Sequence, residues 1–145
     1  MHHPSLEIVQ ADFRQIDHVV ETMQEVEDVI HFGALVGDQA CALDKELIIE
    51  INLMATRMIA EVAKKYGVER LIFASTCAVY GVSDEAFDDR STLKPLSLYT
   101  RSKIASEQVL NNMTRPHCSP LEYRAGNATV YRCIAQRRHP RLPHR

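Results

Sequence analysis

The stretch "RLIFASTCAVYG", residues 70–81, decides how this chain is read. Leu71, Ile72 and Phe73 are consecutive large apolar residues with strand-favouring members, and they predict a buried strand over 70–75. The stretch then turns small and hydroxylated, Ala74-Ser75-Thr76-Cys77-Ala78, before Val79-Tyr80-Gly81. A core strand that ends in two hydroxyls and a run of small side chains leaves room for a molecule to sit on its end.

Working outward, strands and helices alternate. Residues 6–13, "LEIVQADF", read as a strand ending at Asp12, and Ile16, Val19, Val20 and Met23 recur at helical spacing over 15–26. "DVIHFGA", 28–34, reads as a second buried strand running into a small-residue loop, with His31 inside it as a satisfied core histidine rather than a ligand. Asp44 is suited to cap a helix over about 45–66, apolar on Leu47, Ile51, Met54, Ala55, Met58 and Val62 and ended by Gly67. A polar, proline-containing loop leads to a helix that begins near Ser97, with Leu98, Ile104, Ala105 and Val109 on one side. A last strand-like piece lies near 119–124. This alternation predicts an α/β domain with a parallel sheet, whose ligand sits beyond the carboxyl ends of the strands. Those ends are "QADF", "HFGAL" and "ASTCAVYG".

Composition narrows the function. The chain has 145 residues, one domain's worth, of which 46% are hydrophobic. No apolar run approaches the roughly 20 residues needed to span a bilayer, and the N-terminus shows no secretory pattern. Cys41, Cys77, Cys118 and Cys133 are scattered without a C-x-x-C pair, as befits free thiols in a reducing cytoplasm, and no metal site is expected. Residues 132–145 hold five arginines and no acid; without these five, 12 basic residues face 19 acids, so residues 1–131 carry −7. An acidic body is a poor nucleic-acid binder; the tail alone could attract phosphate or an anionic membrane, a rival reading that the acidic body argues against. The tail, with Pro140 and Pro143 and no apolar period, reads as a disordered appendage, which divides the chain into 1–131 and 132–145.

Tyr99 and Lys103 in "YTRSK" are four residues apart on an expected helix, and so share a face. A phenol with a pKa near 10 is a poor base at neutral pH. A neighbouring ammonium favours the phenolate and makes the tyrosine a usable general base for an alcohol proton. The spacing alone is weak, since chance supplies it in ordinary sequences. Taken singly, Thr76 is an ordinary strand-end hydroxyl, Asp12 a turn-former and Asn52 a helix-surface residue.

Together, "ASTCAVYG" followed by "YTRSK" resembles the extended short-chain dehydrogenase/reductase family, the NAD-dependent sugar-nucleotide epimerases and dehydratases. "VEDVIHFGAL" is similar to that family's fourth strand and cofactor loop, and "QADF" to its third-strand end, over about residues 6–112. The resemblance implies Tyr99 as catalytic base, Lys103 as the residue that holds the nicotinamide ribose and lowers the tyrosine's pKa, and Thr76 as partner of the reacting hydroxyl. It implies that Asp12 meets the adenine amine beside Phe13, that Phe32, Gly33 and Ala34 line the cofactor, and that Asn52 supports it. The cofactor implied is NAD, with NADP left open, and the substrate a nucleotide-sugar. Dehydratases of the family typically follow the threonine with Asp-Glu; here Cys77 and Ala78 stand there, and alanine transfers no proton. Epimerisation by reversible hydride transfer is therefore expected over dehydration.

The family's opening Gly-rich turn is not found: the five glycines lie at 33, 37, 67, 81 and 126. The resemblance begins at the third strand, so the expected fold is a partial Rossmann-type, doubly wound parallel sheet lacking its first two strands and the Gly-rich loop, truncated at both ends. Activity of this chain alone is not expected. Strand 28–32 becomes an open edge suited to a homo-oligomer or a companion chain. The alternative is an inactive Rossmann remnant that binds a partner.

Overall fold

A computed structural model of the chain describes residues 6–36, 44–82, 91–113 and 128–132. The elements run α1 (Ile16–Thr22), β1 (Asp28–His31), α2 (Lys45–Ile48), a π-helical turn (Ile49–Met54), α3 (Ala55–Tyr66), β2 (Arg70–Ala74), a 3-10 turn (Cys77–Tyr80), α4 (Leu98–Met113) and β3 (Ala128–Arg132). β2 is central in a sheet of order β1-β2-β3. β1 and β2 are parallel, with Val29 opposite Leu71 and His31 opposite Phe73.

The core lies on one face of this sheet. Side chains alternate along a strand, so Val29, His31, Leu71 and Phe73 face the same way. Leu71 and Phe73 cluster there with Val19 and Met23 of α1, Ile59, Ala60, Val62 and Ala63 of α3, and Leu110 of α4. Full burial of a side chain such as Leu71 or Phe73 contributes about 1.5–3 kcal/mol. The other face is barer: Ile30 is 59% exposed. Among the described residues the helices cover one face, and the second helical layer of a doubly wound sheet is not among them.

Three expectations change. Residues 6–10 form no strand, and Leu6, Ile8 and Val9 are exposed. A strand needs a ladder partner; among the described residues β1 pairs with β2 alone, and the β-favouring side chains at 6–10 have no strand to join. The buried strand of 28–34 is a four-residue edge in which His31 alone is buried. The third strand is antiparallel to β2, with Ile72 opposite Val130, where a wholly parallel sheet was expected. An antiparallel ladder satisfies the same backbone groups along the far edge of β2. The strand-like piece near 119–124 and the tail beyond Arg132 lie outside the described residues.

The helical stretch 45–66 starts as expected: Asp44 accepts from the Leu47 N–H at 2.9 Å, and Gly67, at φ 78°, ends it. Its buried side, Ile48, Asn52, Ala55, Thr56, Ile59, Ala60, Val62 and Ala63, keeps Ala55 and Val62 of the expected apolar face and extends to the positions beside it, while Met54 is 53% exposed. Two causes combine. The turn at Ile49–Met54 is π-helical, closed by Ala55 N–H to the Glu50 carbonyl, which shifts the register. The buried stripe also contains Asn52 and Thr56, which apolar counting passes over.

Candidate cofactor site

The carboxyl end of β2 carries one half of the site. Ser97 caps α4 by accepting from the Thr100 N–H at 3.2 Å, and one turn on, Lys103 reaches back across the strand end. Lys103 is 3% exposed. Its Nζ donates to the Ala74 carbonyl at 2.8 Å and lies 4.7 Å from the centre of the Phe73 ring, a favourable cation–π geometry. The Tyr99 ring centre is 6.0 Å from the same Nζ. Burial pushes the ammonium's pKa down to about 8, with Glu107 opposing the shift.

Thr76 opens the 3-10 turn, its Oγ1 accepting from the Ala78 N–H at 3.3 Å. That turn is pinned to the segment entering α4: Lys94 N–H donates to the Val79 carbonyl at 2.9 Å. Gly81 makes the approach feasible. Its φ is +82°, and a Cβ there would stand 2.9 Å from the Lys94 carbonyl oxygen. The strand end, the Thr76 turn and the Tyr99–Lys103 helix thus meet at one edge. Between them Ser75 Oγ is buried and makes no hydrogen bond among the described residues.

The other half is a cavity of about 360 Å³ beside the end of β1. Asp12, Phe13 and Ala34, all expected to contact the cofactor, line it; Arg14, Leu35, Leu47 and Ile51 complete the wall. The Asp12 carboxylate is gripped by Arg14, whose Nη2 donates to Oδ2 at 2.6 Å. These hydrogen bonds hold its pKa down at about 2. Gly33 is not in the wall but shapes it: a Cβ there would lie 3.0 Å from Phe13 Cε1, so the glycine lets that ring rest edge-on against His31. Phe32 is 68% exposed and lies outside the wall. Alternation along the strand places it on the opposite side from His31.

Asn52 is not a surface residue. It is 1% exposed and bonds both backbone groups of Leu35 as well as Ser102 Oγ. Its own carbonyl accepts from Thr56 Oγ1 and Ser106 Oγ, each at 2.7 Å. It supports the cavity wall through Leu35. His31 is the satisfied core histidine expected, 6% exposed, with Nε2 3.0 Å from Thr56 Oγ1. The Thr56 proton goes to the Asn52 carbonyl, so the histidine donates through Nε2–H. Burial, and then the charge of Lys103, push its pKa down to about 4.

Sequence reasoning missed Arg14, Leu35, Leu47, Ile51 and Ser102 as parts of the site. For Arg14 a signal existed, a guanidinium two residues from a carboxylate. The others are apolar or small residues, of which Ile51 lies in the π turn. Among the described residues no cluster of three or more His, Cys, Asp or Glu could hold a metal, and no helix is long and apolar enough to cross a membrane.

Residues 1–140 match the family model described as the NAD dependent epimerase/dehydratase family. The chain is 33% identical over 92 residues to the UDP-glucose 4-epimerase of Bacillus subtilis, covering 61% of this chain and 26% of that protein. It is 34% identical over 94 residues to the dTDP-D-glucose 4,6-dehydratase of Mus musculus, covering 62% and 26%. In three dimensions it resembles the UDP-glucose 4-epimerase of Thermus thermophilus, solved in complex with NAD, with a TM-score of 0.67 and 33% identity over 70% of this chain and 34% of that one. The chain spans about a third of the length of the curated relatives it matches. With Rossmann-type geometry at the strand ends and these likenesses together, the chain belongs to the NAD-dependent epimerase/dehydratase family.

Proposed function

We propose that this chain carries much of the NAD site and the hydride-transfer residues of a nucleotide-sugar epimerase. The observation that supports this most is Lys103: an ammonium is buried at a strand end, one helical turn from a tyrosine, where burial alone is costly. The residues fit the dinucleotide at both ends. The cavity has apolar walls and one ionised acceptor, Asp12, suited to a heterocycle bearing an amine. At the other end Lys103 offers N–H donors, and the buried Ser75 Oγ has unused hydrogen-bonding capacity.

When bound, NAD supplies the hydride acceptor and donor. The chain's own residues handle the proton. Tyr99 takes the sugar hydroxyl proton as general base, Lys103 favours its phenolate and holds the ribose, and Thr76 orients the reacting hydroxyl. Asn52 keeps the cavity wall and α4 in register. Relatives of both reaction types match at similar identity, so the choice between them rests on Cys77 and Ala78. Ala78 has no proton to move, which leaves oxidation of a hydroxyl and return of the hydride to the other face.

Calorimetric titration of the 145-residue chain with NAD tests this. Micromolar binding that Lys103→Ala weakens and Tyr99→Phe spares is expected. No binding up to millimolar NAD, by a chain shown to be folded, overturns it.

A second reading, a Rossmann module that binds a partner, draws support from β1. Its outer edge has no paired strand among the described residues, and Ile30 lies exposed on the sheet face beside it. Such association, with a second copy or a companion chain, is expected to survive Tyr99→Phe, as sedimentation would read.

A further inference from the structure

Arg14 and Asp12 are the two charged residues in the wall of the cavity, and Arg14 directs most of its hydrogen bonding to Asp12. Its Nε lies 3.0 Å from both Oδ1 and Oδ2, its Nη2 2.6 Å from Oδ2, and its backbone N 2.9 Å from Oδ1. Nη1 reaches Glu50 Oε1 at 3.4 Å, on the π turn that also brings Ile51 to the wall. The guanidinium is therefore held between Asp12 and Glu50. An ionised carboxylate has about four acceptor sites. Three N–H groups of Arg14 make four contacts with it, Nε being shared between the two oxygens, and the carboxylate stays 34% exposed, open to a further donor from a ligand.

We propose that Arg14 is a specificity-determining residue: by fixing Asp12 as an oriented, ionised acceptor, it makes the cavity select a heterocycle that presents an amine, adenine, over one that presents a carbonyl there. This rests on the dinucleotide reading above. The fork matters more than the charge. A planar guanidinium meets a carboxylate edge to edge and stops its rotation, whereas a lysine places one point charge and leaves the carboxylate free to turn. Against the fixed carboxylate, a hypoxanthine oxygen sets acceptor against acceptor and leaves the Asp12 site unpaired.

The test titrates the full chain with NAD and with its hypoxanthine analogue. Wild type is expected to bind NAD about tenfold more tightly, as for one half-exposed charge-assisted hydrogen bond. Arg14→Ala should bring that ratio below about threefold, and Arg14→Lys should restore it in part. Asp12→Asn, the second variant should Arg14→Ala fail to fold, should also lose the preference, because an amide offers either a donor or an acceptor. If Arg14 matters for folding alone, both dinucleotides weaken together and the ratio stands, which overturns the inference and leaves the NAD reading intact. Equal affinities in the wild type do the same. Failure of the folded wild type to bind either dinucleotide overturns both.

Discussion

Asn52 grips the Leu35 peptide from both sides: its Oδ1 accepts from the Leu35 N–H at 2.8 Å, and its Nδ2 donates to the Leu35 carbonyl at 3.1 Å. The same Nδ2 lies 3.1 Å from Ser102 Oγ, the residue before Lys103. One buried amide thus joins a wall of the cavity to the helix that carries the lysine. Asn52→Ala leaves these groups without partners in a buried site, at about 1–3 kcal/mol per group. A loss of about 3 kcal/mol in urea unfolding is expected, enough to unfold much of a marginally stable domain. Asn52→Asp, which keeps the acceptor and the shape but removes the donor, should also destabilise.

Lys103 is expected to cost stability. Its pKa, lowered from 10.5 to about 8, corresponds to roughly 3 kcal/mol against the charged form. Between those values the unfolded chain holds more protons than the folded one, so stability rises as pH goes from 8 to 10.5 and is at its lowest, from this group, below 8. Lys103→Met keeps the apolar stem and removes the charge, at the expense of the hydrogen bond to Ala74, worth about 1 kcal/mol. A net gain of about 2 kcal/mol at pH 7 is expected, with loss of NAD binding. Unfolding curves at pH 7 and pH 10 check both parts; a variant less stable than wild type at pH 7 would contradict the first.

His31 acts in the acid range. Its folded pKa is depressed to about 4 from 6.5, so the unfolded chain takes up the proton first as pH falls. Stability is lost from about pH 6.5 downward and the loss levels off below 4, at roughly 3 kcal/mol. Asp12, held near 2 by Arg14, adds its own loss only below about 3.8. His31→Gln keeps a donor for Thr56 and has no titrating ring, so its stability between pH 6.5 and 4 should be much flatter. Urea midpoints across that range read the difference.

How far these features were legible depends on what kind of signal carried them. Tyr99 and Lys103 were singled out because they share one helical face and stand in a stretch that resembles the family, and Asp44 and Gly67 because helix ends have few solutions. The strand at 6–10 was misread because its apolar residues are real but strand formation depends on a neighbour, which a local pattern does not contain. Asn52 was identified by resemblance, yet its burial was not foreseen: a polar residue on a buried stripe looks like a surface residue until its partners Leu35, Ser102 and Ser106 are known. Arg14 went unread because an Asp-x-Arg pair makes sense only beside a cavity.

The Thr76 turn supplies the last prediction. Gly81 combines a φ of +82° with a position 2.9 Å from the Lys94 carbonyl for any added Cβ. The backbone conformation alone costs a residue with a side chain about 1–3 kcal/mol, and the close contact is with backbone, which cannot swing aside. Gly81→Ala is expected to lower stability by about 2–3 kcal/mol or to break the Lys94–Val79 hydrogen bond that pins the turn to α4. Either way Thr76 loses its fixed relation to Tyr99. Amide hydrogen exchange separates the outcomes: global destabilisation speeds exchange throughout the core, whereas local release exposes the Lys94 amide and leaves Leu71 and Phe73 protected. Wild-type protection at Lys94 with unchanged stability would show that the turn tolerates the methyl and that the glycine is not what holds it.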